Sequence, residues 1–143
     1  WLPGVELPWL DHMDMAHEKG ILLSFTVPDQ MVSVLGDRRL LKMAISNLLT
    51  NAIKFTASGE VSVRVGRENS LVSVMIKDTG VGIAPEHLRQ VFDKFYQESP
   101  SMPGCGIGLA IANEIAKLHS GRIYAESKGI GCGSIFKLEL LPA

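Results

Sequence analysis

Two asparagines and a lysine share one face of the stretch Asp37 to Thr56, DRRLLKMAISNLLTNAIKFT, where Asn47, Asn51 and Lys54 recur at i, i+4 and i+7. Amide oxygens can ligate a hard cation such as magnesium, and a lysine one turn on can meet a phosphate oxygen. Asparagine is a mediocre helix former because its amide competes for backbone hydrogen bonds, so helix stability alone does not select such a pair. The plain alternative is a solvated polar face. Asp78-Thr79-Gly80-Val81-Gly82 is a second candidate. Its glycines allow positive φ and close approach of a ligand, and an ionised Asp could accept from the exocyclic amine of a purine. Asp-x-Gly turns are also common without function. In Gly104-Cys105-Gly106-Ile107-Gly108-Leu109, successive backbone N–H groups at a helix start would suit a di- or triphosphate. The loop has neither P-loop spacing nor a Rossmann strand before it. Phe92, Phe95 and Tyr96, with Lys94 between them, could be core aromatics or could anchor the segment Gln97 to Pro103 so that it closes over a nucleotide.

Regular elements must hold these groups. At helical period Leu41, Ile45, Leu48, Leu49 and Ala52 form an apolar face nearly opposite the Asn stripe, and Asp37 is a good N-cap. Before it, Leu7 to Lys19 reads as a short helix with Leu7, Leu10, Met13 and Ala16 inward, stopped by Gly20. Ile21 to Val27 and Met31 to Leu35 read as strands. Val61, Val63 and Val65 alternate with polar residues in a half-buried strand, Glu60 to Gly66. Glu68-Asn69-Ser70 turns the chain into Leu71 to Lys77, apolar enough to be central. A helix is expected from Pro85 to about Val91, and another from Ile107 to His119. Arg122 to Glu126 and Ser134 to Leu140 should close the sheet as an antiparallel pair. The fold class this implies is α+β, a two-layer sandwich of a mixed, mostly antiparallel sheet with helices on one face.

A chain of 143 residues fits one domain, with residues 1–6 as a linker remnant and 7–141 as the domain proper. The net charge of −1 gives no electrostatic argument for nucleic acid or a membrane surface. No apolar run is long enough to span a bilayer, and the two cysteines, Cys105 and Cys132, lack metal-ligand spacing. Both read as free thiols of a reducing compartment, so a cytoplasmic location is expected. A start at Trp1 suggests a piece of a longer protein, whose remainder could be membrane-anchored.

Taken in order, the N-x-x-x-N-x-x-K-F helix, D-x-G-x-G, F-x-K-F-Y and G-x-G-x-G-L-A resemble the N box, first glycine box, F box and second glycine box of sensor histidine kinase ATP-binding domains. The resemblance runs from about Leu7 to Leu140, including HEKGI near the start and SGRIYAESKGIGCGSIF near the end. It implies the Bergerat ATP-binding fold, with ATP and Mg2+ as cofactors. Asn51 would hold the magnesium, supported by Asn47, while Lys54 would meet phosphate oxygens and Phe55 pack on adenine. Asp78 would accept from the adenine amine, in a pocket shaped by Gly80 and Gly82. Gly104, Gly106 and Gly108 would offer N–H groups to the phosphates, with Lys94 near the γ-phosphate. Ile83, Tyr96, Ile107 and Leu109 complete the implied nucleotide-contacting set. Asn47, Asn51 and Lys54 would carry the chemistry, since phosphoryl transfer needs mostly positioning and charge neutralisation.

Two features depart from the resemblance. The segment between Tyr96 and Gly104 is several residues shorter than the usual lid, and Cys105 stands where a small hydroxyl or Gly is more usual. Relatives of this fold that hydrolyse ATP typically have a Glu four residues before the magnesium Asn, able to act as general base. Here that residue is Asn47, which favours transfer to a histidine over hydrolysis. His12, His17, His87 and His119 read as surface or boundary residues, so the acceptor histidine is expected on a separate dimerisation domain, with a response regulator downstream. No nucleic-acid or membrane contact is expected of this segment. The competing readings are a degenerate nucleotide-binding or interaction module and an ATPase of the same fold.

Overall fold

The computed structural model describes residues 10–26, 33–68, 70–88, 90–92 and 107–142. Within these, the chain runs α1 (Leu10–Glu18), β1 (Ile21–Thr26), α2 (Arg38–Lys54), β2 (Gly59–Glu68), β3 (Leu71–Asp78), α3 (Gly108–Leu118), β4 (Arg122–Glu126) and β5 (Ser134–Leu140). The valine alternation builds the centre of the sheet. Val61, Val63 and Val65 of β2 and Val72, Val74 and Ile76 of β3 all turn to the same buried face. The five strands lie in the order β1-β2-β3-β5-β4. β1 runs parallel to β2 and every other pair is antiparallel, so the sheet is mixed as expected.

The helices cover the valine face. Leu48, Leu49 and Ile53 of α2 meet Ile76, Phe136 and Leu138 of the sheet, all essentially excluded from solvent. Burying each such side chain contributes about 1.5–3 kcal/mol. On the opposite face charged and aromatic side chains pair across strands: Arg122 Nε donates to Glu139 Oε1 at 2.6 Å, Lys137 bonds to Glu68, and the Arg122 guanidinium lies 4.8 Å from the Tyr124 ring centre. This is the alternation of a sheet packed on one side only.

α2 and α3 run antiparallel and are tied at both ends. Asn47 Nδ2 donates to the Gly108 carbonyl at 3.1 Å, and the Asp37 N–H donates to His119 Nε2 at 2.9 Å. His119 Nδ1 lies 2.8 Å from the Ile115 carbonyl, so it carries the ring proton and Nε2 is free to accept. Gly36 leaves room for that ring, because a Cβ there would strike it.

Several elements differ from expectation. In α1, Met13 is 45% exposed while His12, at 7%, takes the inward place with Ala16. The reason is a polar seam: His12 Nε2 sits 3.0 Å from Ser46 Oγ and 3.2 Å from Thr50 Oγ1 of α2. His12 is therefore buried, and not the surface or boundary residue the sequence suggested; Leu7 lies outside the described residues. Of the strand expected at Met31–Leu35, the described part shows only a bridge between Val34 and Pro142. Proline has no N–H with which to extend such a ladder. The helix expected from Pro85 is a single 3-10 turn, Pro85–His87, whose preceding Ala84 has no side chain to cap it. Among the described residues, no helix is long and apolar enough to cross a membrane.

Candidate nucleotide-binding site

α2 starts where Asp37 Oδ1 accepts from the N–H groups of Arg39 and Leu40, at 2.9 and 3.1 Å. It ends where the Phe55 N–H returns to the Asn51 carbonyl at 3.1 Å. Between these points the polar stripe flanks the core face and does not oppose it. Asn51 is only 9% exposed, Asn47 is half-buried and Lys54 is exposed. The expected geometry, nearly opposite the apolar face, is corrected by α3, which packs on the Asn side and meets Asn47 through Gly108. Among the described residues the Asn51 amide has no hydrogen-bond partner, although Asn47 one turn earlier has one.

The Asp78 loop docks on the end of α2. The Val81 N–H donates to the Phe55 carbonyl at 3.1 Å. A Cβ on Gly80 would collide with that same carbonyl. Thr56, fully buried beneath, donates to the Ala52 carbonyl at 2.9 Å. Asp78 itself is 4% exposed. Its Oδ1 accepts from the Gly80 N–H at 2.9 Å and its Oδ2 from Ser134 Oγ at 2.7 Å. Burial pushes the Asp78 carboxyl above the usual carboxylate range, and the bonds from Ser134 and Gly80 pull the other way. A carboxylate has about four lone-pair sites, so two bonds leave capacity for a further donor.

The turn between β4 and β5 backs this loop. Ser127 Oγ accepts from the Ile83 N–H at 3.0 Å and donates to the Gly133 carbonyl at 2.7 Å. The Gly131 N–H donates to the Val81 carbonyl at 2.7 Å. Gly82, at φ +75°, lies so close to the Gly129 carbonyl that any Cβ would overlap it, which requires glycine on both counts. Ser127 and Ser134 were not singled out in the sequence; they lie 49 and 56 residues beyond Asp78 along the chain (127 − 78 and 134 − 78).

On the other side, Ile107 precedes α3 and supplies no side-chain cap. Among the described residues no side chain accepts from the first N–H groups of the helix, which leaves them able to meet an anion. Ile107 is exposed, Gly108 partly covered and Leu109 buried. Thus α2, the Asp78 loop and the start of α3 bring together Asn47, Asn51, Lys54, Phe55, Asp78, Gly80, Gly82, Ile83, Ile107, Gly108 and Leu109. Lys94, Tyr96, Gly104 and Gly106, with the short lid and Cys105, lie outside the described residues. A cavity of about 340 Å³, lined by Lys77, Asp78, Ser127, Lys128, Cys132 and Ser134, adjoins Asp78 and touches no residue of α2 or α3.

The sequence profile of the family described as histidine kinase-, DNA gyrase B-, and HSP90-like ATPase matches residues 36–143. The sensor histidine kinase CusS of Escherichia coli (strain K12) is 40% identical over 129 residues, covering 87% of this chain and 26% of its own. The sensor histidine kinase RcsC of Salmonella typhimurium is 38% identical over 123 residues, covering 83% of this chain and 13% of its own. The chain thus spans about a quarter or less of these relatives. Among solved structures, the mycobacterial sensor histidine kinase MprB superposes with a TM-score of 0.81 at 28% identity, covering 92% of this chain and 91% of that one. Full-length ShkA in complex with AMPPNP gives 0.80 at 30% identity, covering 91% of this chain and 27% of that one. The chain belongs to the histidine kinase-, DNA gyrase B-, and HSP90-like ATPase family, as an ATP-binding domain of the sensor histidine kinase kind.

Proposed function

We propose that residues 7–141 bind Mg-ATP and present its γ-phosphate to a histidine on a separate phosphoacceptor domain of a sensor kinase, from which a response regulator takes it. Residues 1–6 are then linker, and the segment works on the cytoplasmic side. The observation that carries the reading is Asp78, a carboxylate at the base of a glycine loop, bonded to Gly80 and Ser134 and docked on the end of α2. A buried acceptor aligned by two donors is a suitable reader of the adenine amine.

Asn51 fits a magnesium ion: it offers a neutral hard oxygen, is mostly buried, and its side-chain amide is bonded to no described residue. When bound, the ion would neutralise phosphate charge. Asn47 would keep its bond to Gly108, holding the start of α3 against α2, so that the N–H groups after Ile107 face the phosphates. Lys54 would reach the same oxygens from the exposed edge of α2, and Phe55 would flank adenine. Gly80, Gly82 and Ile83 would form the floor under the purine, and Leu109 would seat α3. From the segments around them, Lys94, Tyr96, Gly104 and Gly106 would complete the phosphate side.

Asn47 also favours transfer over hydrolysis. Its amide cannot take a proton from water at neutral pH, and its donor is committed to Gly108. An imidazole needs no such base. The test mixes the chain with Mg-ATP and a separately prepared phosphoacceptor domain. Acid-labile, base-stable phosphate on the acceptor, with slow phosphate release from the chain alone, is the expected result. Rapid release without transfer would place the chain among the hydrolases, and neither would leave a binding module.

A further inference from the structure

Lys19 follows the end of α1, in a part of the chain that precedes the family-matched residues 36–143. Its ammonium crosses to the far end of α2 and donates to the carbonyls of Ile53 and Lys54, at 2.9 and 3.1 Å. These carbonyls belong to the last turn of the helix, where the intrahelical partners run out and the dipole is negative. The next carbonyl along, that of Phe55, holds the Asp78 loop through the Val81 N–H. The Ile53 carbonyl also takes a longer bond from the Thr56 N–H at 3.3 Å, so one cation and two amides complete three successive carbonyls, Ile53, Lys54 and Phe55. Asn51 and Lys54 stand on this same turn.

We infer that Lys19 is a positioning residue for the nucleotide site: by clamping the final carbonyls of α2 it fixes where Asn51, Lys54, Phe55 and the docked Asp78 loop stand. The inference rests on the proposed nucleotide function. Lys19 would touch no nucleotide atom. It acts through the helix end, and its three donors can satisfy both carbonyls at once. The seam between His12 and Ser46 and Thr50 fixes the other end of α1 on α2, so the clamp has a rigid base. Loss of the cation would leave the Lys54 carbonyl to water and the Ile53 carbonyl to its longer bond from Thr56, so the last turn would loosen and move Phe55 and the Val81 contact together.

The test compares Lys19→Met, Lys19→Arg and Ala16→Gly in the complete chain. Mg-ATP affinity is read by calorimetry below the melting temperature of each variant, and exchange of the Val81 amide is read without nucleotide. The expected result for Lys19→Met is an affinity about tenfold weaker, the scale of coupling between linked sites, with faster Val81 exchange. Lys19→Arg, which keeps a cation with several donors, should recover most of the affinity. Ala16→Gly, which loosens the turn carrying Lys19 but keeps its ammonium, should lose less affinity than Lys19→Met. Wild-type affinity in folded Lys19→Met, or equal losses in all three variants, would overturn the role. Absence of binding by the wild-type chain would overturn the proposed function and this role with it. The exchange data would still show whether the clamp holds the loop.

Discussion

Replacing Asp78 by Asn separates what the carboxylate does for the fold from what it does for a ligand. The amide fits the same space, and both observed bonds can survive. Its oxygen can keep the Gly80 N–H, now at 2.9 Å from Oδ1, and its NH₂ can donate to Ser134 Oγ, which rotates to accept. The second amide hydrogen would then face the purine that the wild-type oxygen is proposed to accept from. For adenine this puts donor against donor. Losing a hydrogen bond to a charged group costs about 1.5–3 kcal/mol, or roughly tenfold to more than a hundredfold in affinity.

The same change removes a buried charge. Burial raises the Asp78 pKa above 3.8, against the lowering bonds from Ser134 and Gly80. The native state therefore holds the proton more tightly than the unfolded state. Its contribution to stability is full below 3.8 and is lost as pH rises through the native pKa. Asp78→Asn should match the wild type in acid and become the more stable of the two towards neutral pH, while binding ATP worse. Calorimetry with ATP, with a purine nucleotide lacking the 6-amine and with one carrying a 6-carbonyl, reads the ligand side. ATP should lose most affinity, the unsubstituted purine little, and the carbonyl purine should gain. Equal losses for all three, or a variant less stable than wild type at neutral pH, would refute the reasoning.

Substitutions at three further positions probe the support. Asn51→Ala should remove the magnesium-dependent part of ATP binding and leave the melting curve nearly unchanged; titrations with and without magnesium that still differ as in wild type would dismiss its role. Ser127→Ala strands the Ile83 N–H and the Gly133 carbonyl, at a cost of about 1–3 kcal/mol readable as a lower denaturant midpoint. ATP affinity should fall with it, because the wall behind Gly82 loosens. His119→Phe keeps a ring beside Gly36 but removes the acceptor for the Asp37 N–H, so exchange of that amide should quicken and stability fall by about 1 kcal/mol. His119→Gln, with an acceptor near the same place, should restore it.

Local signals in the sequence carried the helices and strands because local rules produced them. Asp37 caps α2 as an Asp before an apolar periodic run should, and the alternating valines of β2 and β3 turned inward together. The Asn stripe was visible, but its burial was not: α3, 61 residues from Asn47 at their contact, decides how much of that face meets water. Ser134 and Ser127 were illegible for the same reason. A serine in a glycine-rich turn carries no signature of the carboxylate or amide it will meet across the sheet. His12 went the other way, since polar partners on α2 make its burial acceptable where composition alone predicts exposure. The parallel pairing of β1 with β2, separated by the whole of α2, is likewise a property of the packed layers.

The chain is proposed to hold ATP through Asn51-bound magnesium and Asp78-bound adenine. That mode of binding is tested most directly by titrating the wild-type chain with ATP in a calorimeter, with magnesium and then with the metal chelated. The expected result is saturable binding that weakens sharply on chelation, with little phosphate released over the titration. Binding indifferent to magnesium, or none at all, would contradict it.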